Sequence, residues 1–271
     1  MCFYKGIKTN VTLNITLGET DLDLSGFEPL FKEVEVGFDF SPSVVVTNEN
    51  GNLQPRIMEW GFIPSYIRDG NELLRMRSGY TDSTGKFHPP MDLLNARVET
   101  VFQNLYKDAA LKRHCLVPAT HFFEWRHLPK INKKTGKPLK TTDKYPYAIQ
   151  VKQQEWFWMA GIWQGWTDRQ TGEYLENYAI ITQPANELMK KIHNSKERMP
   201  AILTNQQAYD FLNTSAEQET LAVLSDIFPS NKLQAHTIQK DFRMSSEPLL
   251  PVIYTMIEET EKGTVENGKL F

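Results

Sequence analysis

The sequence is poor in cysteine and contains no long apolar segment. Its 271 residues include only Cys2 and Cys115, which excludes a disulfide framework and favours a reducing compartment, the cytoplasm. No apolar run reaches the length of about 18 residues that a membrane helix needs, so we predict no membrane span and no membrane partner. No basic segment followed by an apolar run opens the chain, and we expect no secretion signal.

A strong excess of charge of either sign is also missing. The 30 basic and 33 acidic side chains give a formal net charge of -3, which argues against coating nucleic acid by bulk attraction but leaves room for a local basic groove. The chain has no internal repeat and no long low-complexity segment. Its 40% hydrophobic and 23% charged residues are typical of a globular protein with one large domain or two small ones.

The dipeptide Met1-Cys2 carries distinctive chemistry. Cells commonly remove Met1 when residue 2 is small, and Cys2 would then hold a free α-amine and a thiol on adjacent carbons. That amine has a reference pKa of about 7.7–8.0, against about 10.4 for lysine, so it is the better nucleophile toward an aldehyde. The thiol can close onto the resulting imine and form a five-membered thiazolidine ring. The alternative is a small residue at a frayed terminus.

Short periodic segments predict a sheet-rich fold. β-branched and aromatic residues favour strands at residues 11–15, 44–47, 54–60, 147–151, 156–163 and 178–182. The second and third of these are expected to form a hairpin around the turn-prone residues 48–52. Residues 198–203 predict a turn into a buried strand. Residues 70–90 are rich in Gly, Ser, Thr and Pro, and we predict a long surface loop there.

Apolar residues at helical spacing predict several helices. They are expected at residues 101–112, 185–193, 206–213 and 217–224. Pro184 suits the first turn of the second helix, and Asn194-Ser195 terminates it. His193 therefore falls at a helix end, where a histidine is either a cap, a core polar group or a catalyst. The charged tail from about Glu258 onward is expected to fray.

Three polar residues share one face if residues 94–100 are extended. Asn95, Arg97 and Glu99 then point to the same side, because side chains alternate along a strand. This face is either functional or a solvated strand with a surface salt bridge.

Glu124 stands among aromatic residues in the segment Phe122-Phe123-Glu124-Trp125. If it is buried there, loss of hydration raises the pKa of its carboxyl group and makes it a usable proton donor near neutrality. The alternative is an exposed glutamate on an edge strand. Residues 126–144, with seven Lys or Arg and one acidic residue, predict an extended hairpin tip that is either a phosphate-contacting arm or a solvated loop.

Several of these segments occur in the order of a known family. Their sequences are Met1-Cys2, Trp60-Gly61 with Pro64, Asn95-Ala96-Arg97-Val98-Glu99-Thr100, Cys115-Leu116-Val117-Pro118, Phe123-Glu124-Trp125, and Pro184-Ala185-Asn186 through His193 to Arg198-Met199-Pro200. Over about residues 2–240 the chain resembles the SRAP family, the SOS-response-associated peptidase-like proteins. We therefore assign residues 1–240 to an SRAP-like domain and 241–271 to a C-terminal extension, partly packed or frayed.

The resemblance implies a fold and a substrate. The fold is a single α+β domain with a curved, mostly antiparallel, barrel-like sheet and peripheral helices. The substrate is single-stranded DNA with an abasic site, whose ring-opened sugar exposes an aldehyde. The resemblance also implies autoproteolytic removal of Met1 and lyase or peptidase (hydrolase) activity in the SOS response to DNA damage. It implies no cofactor, no metal and no obligate protein partner.

The resemblance also assigns roles to residues. Cys2 forms the thiazolidine cross-link, and Asn95 holds the Cys2 terminus or the sugar. Glu124 is the acid/base, and His193 assists sugar ring-opening and reversal. For DNA binding, the resemblance implies that Arg97 contacts a phosphate next to the lesion. Trp60 and Arg198 are also expected to bind DNA.

The chain departs from the family pattern at three places. Phe3-Tyr4 replaces the usual Gly-Arg after Cys2, and a usual Asn is replaced within residues 38–42. Four residues separate His193 from Arg198, where the common pattern has one.

Two other functions compete with cross-linking. One is a thiol peptidase with Cys2 as the nucleophile, His193 as the base, and Asn95 or Glu124 as the orienting group. The other is a non-covalent single-strand nucleic-acid module that uses Trp60 for stacking and the basic segment for charge.

Overall fold

The structure is a computed structural model that describes residues 2–258. Met1 and residues 259–271 lie outside the described residues. The predicted removal of Met1 and the predicted fraying of the tail therefore concern parts of the chain on which the structure gives no information. The predicted C-terminal extension, residues 241–271, is described only as far as residue 258.

The described chain is rich in β-strands. They are β1 Tyr4–Gly6, β2 Asn14–Leu17, β3 Thr20–Asp23, β4 Glu35–Val36, β5 Pro42–Glu49, β6 Asn52–Trp60, β7 Tyr80–Thr81, β8 Phe87–His88, β9 Asn95–Arg97, β10 His114–Ala119, β11 His121–Ile131, β12 Pro138–Val151, β13 Phe157–Thr167, β14 Tyr174–Pro184, β15 Arg198–Pro200, β16 Ile202–Leu203 and β17 Leu233–Thr237. The fold is accordingly built around sheet.

Short helices surround the strands. The α-helices are α1 Gly70–Ser78, α2 Lys107–Lys112, α3 Glu187–Ile192, α4 Asn205–Asn213 and α5 Glu217–Leu224. Short 3-10 helices cover Ser25–Leu30, Gly37–Asp39, Asn104–Tyr106, Ser230–Lys232 and Phe242–Met244. Within residues 2–258, no helix combines the length and the apolar character that crossing a membrane requires.

The larger sheet closes on itself. β14 pairs with β6 on one side and with β13 on the other, and β5 and β10 complete the ring between them. The short strands β9, β15 and β16 attach to its rim. Most of the pairings are antiparallel, and the parallel ones join β14 to β6 and to β9. The predicted α+β fold with a curved, barrel-like sheet is thus confirmed.

A second sheet has the order β17-β12-β11-β1-β4 and is antiparallel throughout. Alternate side chains of β10 show how the core is divided. Cys115 and Val117 join one buried cluster with residues of both sheets, whereas Leu116 joins another with residues of α4 and α5. The two-residue period of the strands therefore separates a core between the sheets from a core beneath the helices.

Most predicted elements are present with shifted bounds. The hairpin around residues 48–52 is β5–β6, the three aromatic strands are longer than predicted, and the helices at 206–213 and 217–224 are confirmed as α4 and α5. The strand predicted at residues 11–15 begins only at residue 14. The helix predicted at 101–112 is shorter: Asn104–Tyr106 is a 3-10 helix, and α2 follows it.

The prediction of a continuous loop at residues 70–90 was wrong, because α1 occupies its first part. The Asp69 side chain caps this helix by accepting a hydrogen bond from the backbone NH of Glu72 at 3.0 Å. Arg75 and Arg77 lie in its last turn, where cations are favourable. Only Met76 is buried, so the helix lacks the apolar stripe by which a sequence reveals a helix.

Candidate active site

Strand pairing brings the start of the chain against Glu124. β1 runs antiparallel to β11 with Lys5 opposite Phe122, so this register, continued outward, sets residues 2–4 beside residues 123–125. The rings of Tyr4 and Trp125 lie 4.9 Å apart and confirm the alignment. Cys2 and Glu124 are distant in sequence, yet one strand pair makes them neighbours.

Cys2 is completely buried, and its thiol stays protonated. The Sγ–H group donates to the carbonyl oxygen of Tyr4 at 3.7 Å. Burial raises the pKa of the Cys2 thiol to about 12, and the nearby carboxyl of Glu124 acts in the same direction. In this environment the thiol is a neutral reagent rather than a thiolate.

Asn95 holds the backbone of residue 2. β9 is fixed by parallel pairing to β14, with Asn95 opposite Ile180. From there the Asn95 side chain donates its Nδ2–H to the carbonyl oxygen of Cys2 at 2.9 Å. The hydroxyl of Tyr106 donates to the Asn95 carbonyl at 3.2 Å and fixes the strand from behind. Among the described residues, the buried Oδ1 atom of Asn95 has no hydrogen-bond partner.

Glu124 is buried, in agreement with its aromatic neighbours in the sequence. Its exposed fraction is 4%, and Phe122 and Phe123 beside it are fully buried. Loss of hydration raises the pKa of the Glu124 carboxyl to about 8. The group is therefore mostly protonated at neutral pH and can donate a proton.

His193 ends α3 and faces Glu124. Its Nδ1 atom lies 2.8 Å from the carbonyl oxygen of Arg198 and 3.5 Å from the Oε1 atom of Glu124. The carbonyl can only accept, so Nδ1 carries the hydrogen and Nε2 keeps its lone pair. Burial lowers the pKa of His193 to about 4, so the imidazole is neutral at physiological pH.

The longer corner after His193 is tied to β11. Asn194 donates from its side chain to the carbonyl of His127 at 2.8 Å and accepts from the same residue's NH at 2.9 Å. Glu197 takes a left-handed conformation, with φ of 50°, and its NH donates to the His193 carbonyl. The four residues between His193 and Arg198 therefore form a fixed corner that keeps His193 against Glu124.

A cleft of about 380 Å³ opens over this group. Its lining residues are Phe3, Tyr4, Phe38, Glu124, Trp125, His127, Lys144, His193, Ser195 and Lys196. Aromatic rings, two lysines and the imidazole of His127 thus surround the Glu124 carboxyl and the His193 imidazole. The rings of Phe3 and Phe38 pack 4.9 Å apart, and these two residues belong to the two segments in which the chain departs from the family pattern near the cleft.

Arg97 is available at the surface near this group. It is exposed on β9, and its partner across the sheet is Thr182. Thr182 also accepts from Arg198, whose carbonyl contacts His193. No salt bridge involves Arg97 anywhere in residues 2–258.

Arg198 does not match its predicted role in DNA binding. Its side chain is largely buried and makes two hydrogen bonds to the Glu99 carboxylate, at 2.7 and 3.0 Å. It also donates to the carbonyl oxygen of Thr182 at 2.6 Å. The guanidinium is committed to the protein, which contradicts a phosphate contact. For the polar face predicted at residues 94–100, the interpretation as a salt bridge is therefore correct for Glu99.

Trp60 is a second correction. Its exposed fraction is 0%, so the predicted stacking on a DNA base is wrong. The indole NH donates to the carbonyl of Leu94 at 3.0 Å, and the ring stacks on Tyr178 with centroids 6.3 Å apart. Trp60 therefore supports the segment that leads into β9.

Sequence reasoning missed a buried ion pair beside Trp60. Lys5 forms a salt bridge with Glu35 and donates to the Ser43 hydroxyl at 2.9 Å, while its ammonium lies 5.7 Å from the Trp60 ring centroid. The sequence around Lys5 contains no pattern that indicates burial of its side chain. Lys196 at the cleft was missed as well, because its corner carries no motif, whereas Lys144 belongs to residues 126–144, for which a phosphate-contacting arm was one of two predictions.

The fold and the site define a single-domain α+β protein in which a buried thiol, carboxyl and imidazole meet beside a cleft. The chain belongs to the SOS response associated peptidase (SRAP) family, whose sequence model matches residues 30–244. Asn95, Glu124 and His193 fall inside the matched range, and Cys2 precedes it.

Curated relatives share between a quarter and a third of the aligned residues. Abasic site processing protein YoqW of Bacillus subtilis is 26% identical over 212 residues, which cover 76% of this chain and 80% of that protein. Abasic site processing protein YoaM of the same organism is 29% identical over 67% of each chain. Abasic site processing protein HMCES of Gallus gallus is 28% identical over 67% of this chain but only 51% of its own length.

Solved structures have the same fold. A protein from Bacteroides thetaiotaomicron matches 93% of this chain and 100% of its own, with a TM-score of 0.71 and 27% identity. A protein from Bordetella bronchiseptica matches 88% of this chain with a TM-score of 0.61 at 18% identity, a likeness of fold alone.

Proposed function

We propose that this protein processes abasic sites in single-stranded DNA by forming a covalent cross-link through Cys2 after removal of Met1. The observation that carries the proposal is the position of Cys2. Asn95 holds its carbonyl, and the register of β1 on β11 sets it beside a buried, protonated Glu124. The names of the relatives point to the same substrate class.

The proposed reaction balances with water as the only product lost. The ring-opened sugar presents an aldehyde, and the neutral amine of Cys2 attacks its carbon. Departure of one water leaves an imine. The Cys2 sulfur then bonds to the imine carbon while the thiol proton moves to nitrogen, which closes the thiazolidine ring. The neutral thiol found here is the form from which this ring closure starts.

Glu124 and His193 divide the proton transfers. The protonated Glu124 carboxyl gives its proton to the departing hydroxyl and regains one from the attacking amine. His193, neutral and hydrogen-bonded through Nδ1, offers Nε2 as a proton acceptor for sugar ring-opening and for reversal. Both groups hold these protonation states because they are buried.

The cations around the cleft bind the DNA backbone. Arg97 contacts a phosphate next to the lesion, since it is exposed beside the site and forms no salt bridge with any described residue. Lys144 and Lys196 line the cleft and attract the strand toward the aldehyde-binding position. The partner is thus single-stranded DNA.

The thiol peptidase alternative is less favoured. It requires a thiolate stabilised by an imidazole, but burial holds the pKa of Cys2 at about 12 and His193 bonds to the Arg198 carbonyl. The non-covalent module loses its stacking ring, because Trp60 is buried.

Borohydride trapping separates the three functions. Incubation with abasic single-stranded DNA and sodium borohydride should give a reduced adduct through the terminal amine of Cys2. Neither alternative forms an imine, so the absence of any adduct with protein shown by mass to lack Met1 would refute the proposal. A variant that retains Met1 is the control for ring closure without borohydride: its Cys2 nitrogen is an amide, so an imine formed by the Met1 amine cannot close to a five-membered thiazolidine with the Cys2 thiol.

A further inference from the structure

We propose that residues 126–144, here called the basic arm, bind the phosphates of the DNA strand that leaves the cleft on one side of the lesion. This inference rests on the proposed function for the identity of its partner. The arm is the distal half of the ribbon made by β11 and β12 together with its turn.

The arm carries a concentrated positive charge on a chain that is acidic overall. It holds seven Lys or Arg residues and one acidic residue, Asp143, whereas the whole chain has a net charge of -3. Within the arm Lys130 pairs with Asp143 at 3.6 Å, and the turn lysines Lys133, Lys134 and Lys137 form no salt bridge with any residue from 2 to 258. A local excess of lysine on a protein with a net negative charge indicates that a polyanion binds at this place.

The arm begins at the cleft. His127 and Lys144 face each other across the ribbon in the strand register, and both line the cleft with Glu124. Continuing outward, the same two strands lead from the reacting groups directly to the lysines of the turn. A strand bound in the cleft therefore meets the arm as soon as it leaves the site on that side.

The outer part of the arm is built for exposure rather than for packing. Side chains from Pro129 to Thr142 are exposed apart from Asn132. The turn is nevertheless ordered: the Asn132 side chain accepts from the backbone NH of Lys134 at 2.9 Å, and the NH of Gly136 donates to the Asn132 carbonyl at 2.8 Å. The lysines are thus displayed on a fixed hairpin, which lowers the entropy lost on binding.

The reach of the arm sets the length of DNA that it contacts. About six residues separate the register pair at the cleft from the turn, and a strand rises about 3.3 Å per residue, so the arm extends about 20 Å. At about 3.4 Å per nucleotide along one strand, this distance spans about six nucleotides. The arm should therefore act on one flank of the lesion and not on the lesion itself.

Oligonucleotide length provides the test. Fluorescence anisotropy would compare an oligonucleotide of about five nucleotides with two of about twelve, extended only on the 5′ side or only on the 3′ side. The wild type should gain affinity from one of the two extensions. In the K133Q/K134Q/K137Q variant that gain should fall roughly tenfold, and the salt dependence should lose about two units of slope for three phosphate contacts.

A matched control distinguishes the arm from overall charge. K86Q/K107Q/K232Q removes the same charge from exposed lysines of the β7–β8 turn, α2 and the last-but-one 3-10 helix. The proposal predicts wild-type binding to all three oligonucleotides for this control. It is overturned if the control loses as much affinity as the arm variant. It is also overturned if the arm variant binds the extended oligonucleotides like the wild type, or weakens equally on all three.

The same experiment keeps the two proposals separate. Binding is measured with intact oligonucleotides as well as with abasic ones, and cross-linking is scored independently by borohydride trapping. If the wild type gains no affinity from either extension but forms the adduct normally, only the proposal for the basic arm is refuted. A one-sided gain without any adduct refutes the cross-linking function and leaves a strand-binding arm.

Discussion

At the scale of single residues, burial acts in opposite directions on the pKa values of the two groups that are proposed to move protons. It raises the pKa of Glu124 to about 8 and lowers the pKa of His193 to about 4, because each loses hydration in its charged form. At neutral pH the site therefore holds a carboxylic acid that donates and an imidazole that accepts.

Replacing Cys2 by serine separates the two bonds of the proposed adduct. C2S keeps the terminal amine and loses the thiol, so we expect weak, borohydride-reducible imine and no stable cross-link. Denaturing gels after heating, with and without borohydride, measure the difference. A heat-stable adduct in C2S without reductant would contradict the thiazolidine. C115S is the matched control, because Cys115 is the other buried cysteine, and it should cross-link normally.

Replacing Glu124 by glutamine keeps the shape of the side chain and removes its titration. A positioned acid/base contributes about 10²–10⁴-fold in rate, so E124Q should form the cross-link slower by that factor while DNA affinity changes little. The pH–rate profile should lose the limb that falls near pH 8. Single-turnover rates across pH 5–9 provide the measurement.

The control for this rate effect is E187Q, on an exposed glutamate of α3. It should behave as wild type. Native rates for E124Q over the whole pH range would make Glu124 structural and would leave the proton transfer to His193 or water.

The same carboxyl should make folding stability depend on pH. Its pKa is about 8 folded and about 4.5 unfolded, so between these values the folded state binds more protons and stability falls as pH rises. From pH 5 to pH 8, E124Q should therefore gain about 3 kcal/mol over wild type. Urea denaturation, with Met1 in the same state in both proteins, tests this; a constant difference would contradict the raised pKa.

At the scale of elements, short rim strands position the site. β9 has three residues, yet its parallel pairing with β14 directs Asn95 to Cys2 and leaves Arg97 exposed. β15 places Arg198 so that its carbonyl orients His193 and its guanidinium holds Glu99. The short strands β9 and β15 thus connect the site to the rim of the closed sheet.

Arg97 on β9 should contribute one phosphate contact. R97A should weaken binding to single-stranded DNA and reduce the salt-dependence slope by about 0.7, the value for one contact with a single strand. Affinity titrations at several salt concentrations measure the slope. R169A, on an exposed arginine in the β13–β14 turn, should leave it unchanged. An unaltered slope in R97A would place the DNA path elsewhere.

Elements with a strong residue pattern were predictable, and those without one were not. The three consecutive buried valines of Val44–Val46 and the aromatic strands of the closed sheet were predictable because β-branched and aromatic residues favour strands. In α1 only Met76 is buried, so its cap at Asp69 was the available signal. Motif order predicted Cys2, Asn95, Glu124 and His193 as site residues, and the structure places these four residues close together. Burial of Trp60 and Arg198 depends on contacts across the sheet, which a local pattern does not contain.

At the scale of the whole molecule, closure of the sheet brings distant segments to one place. Asn95 and Glu124 lie in β9 and β11, Cys2 just precedes β1, and His193 directly follows α3; the pairings of β1 with β11 and of β9 with β14 help to assemble them. Closure also leaves few unpaired strand edges, which stabilises this arrangement against slippage. The site is therefore a property of the topology, and no single element could carry it.

The most direct test of the central claim is the intact mass of the purified protein before and after incubation with abasic single-stranded DNA. The account predicts a protein mass that lacks Met1 and, after incubation, an adduct equal to protein plus DNA minus one water. Peptide mapping should place the adduct on Cys2. An adduct located on another residue, or no adduct from a protein that lacks Met1, would contradict the account.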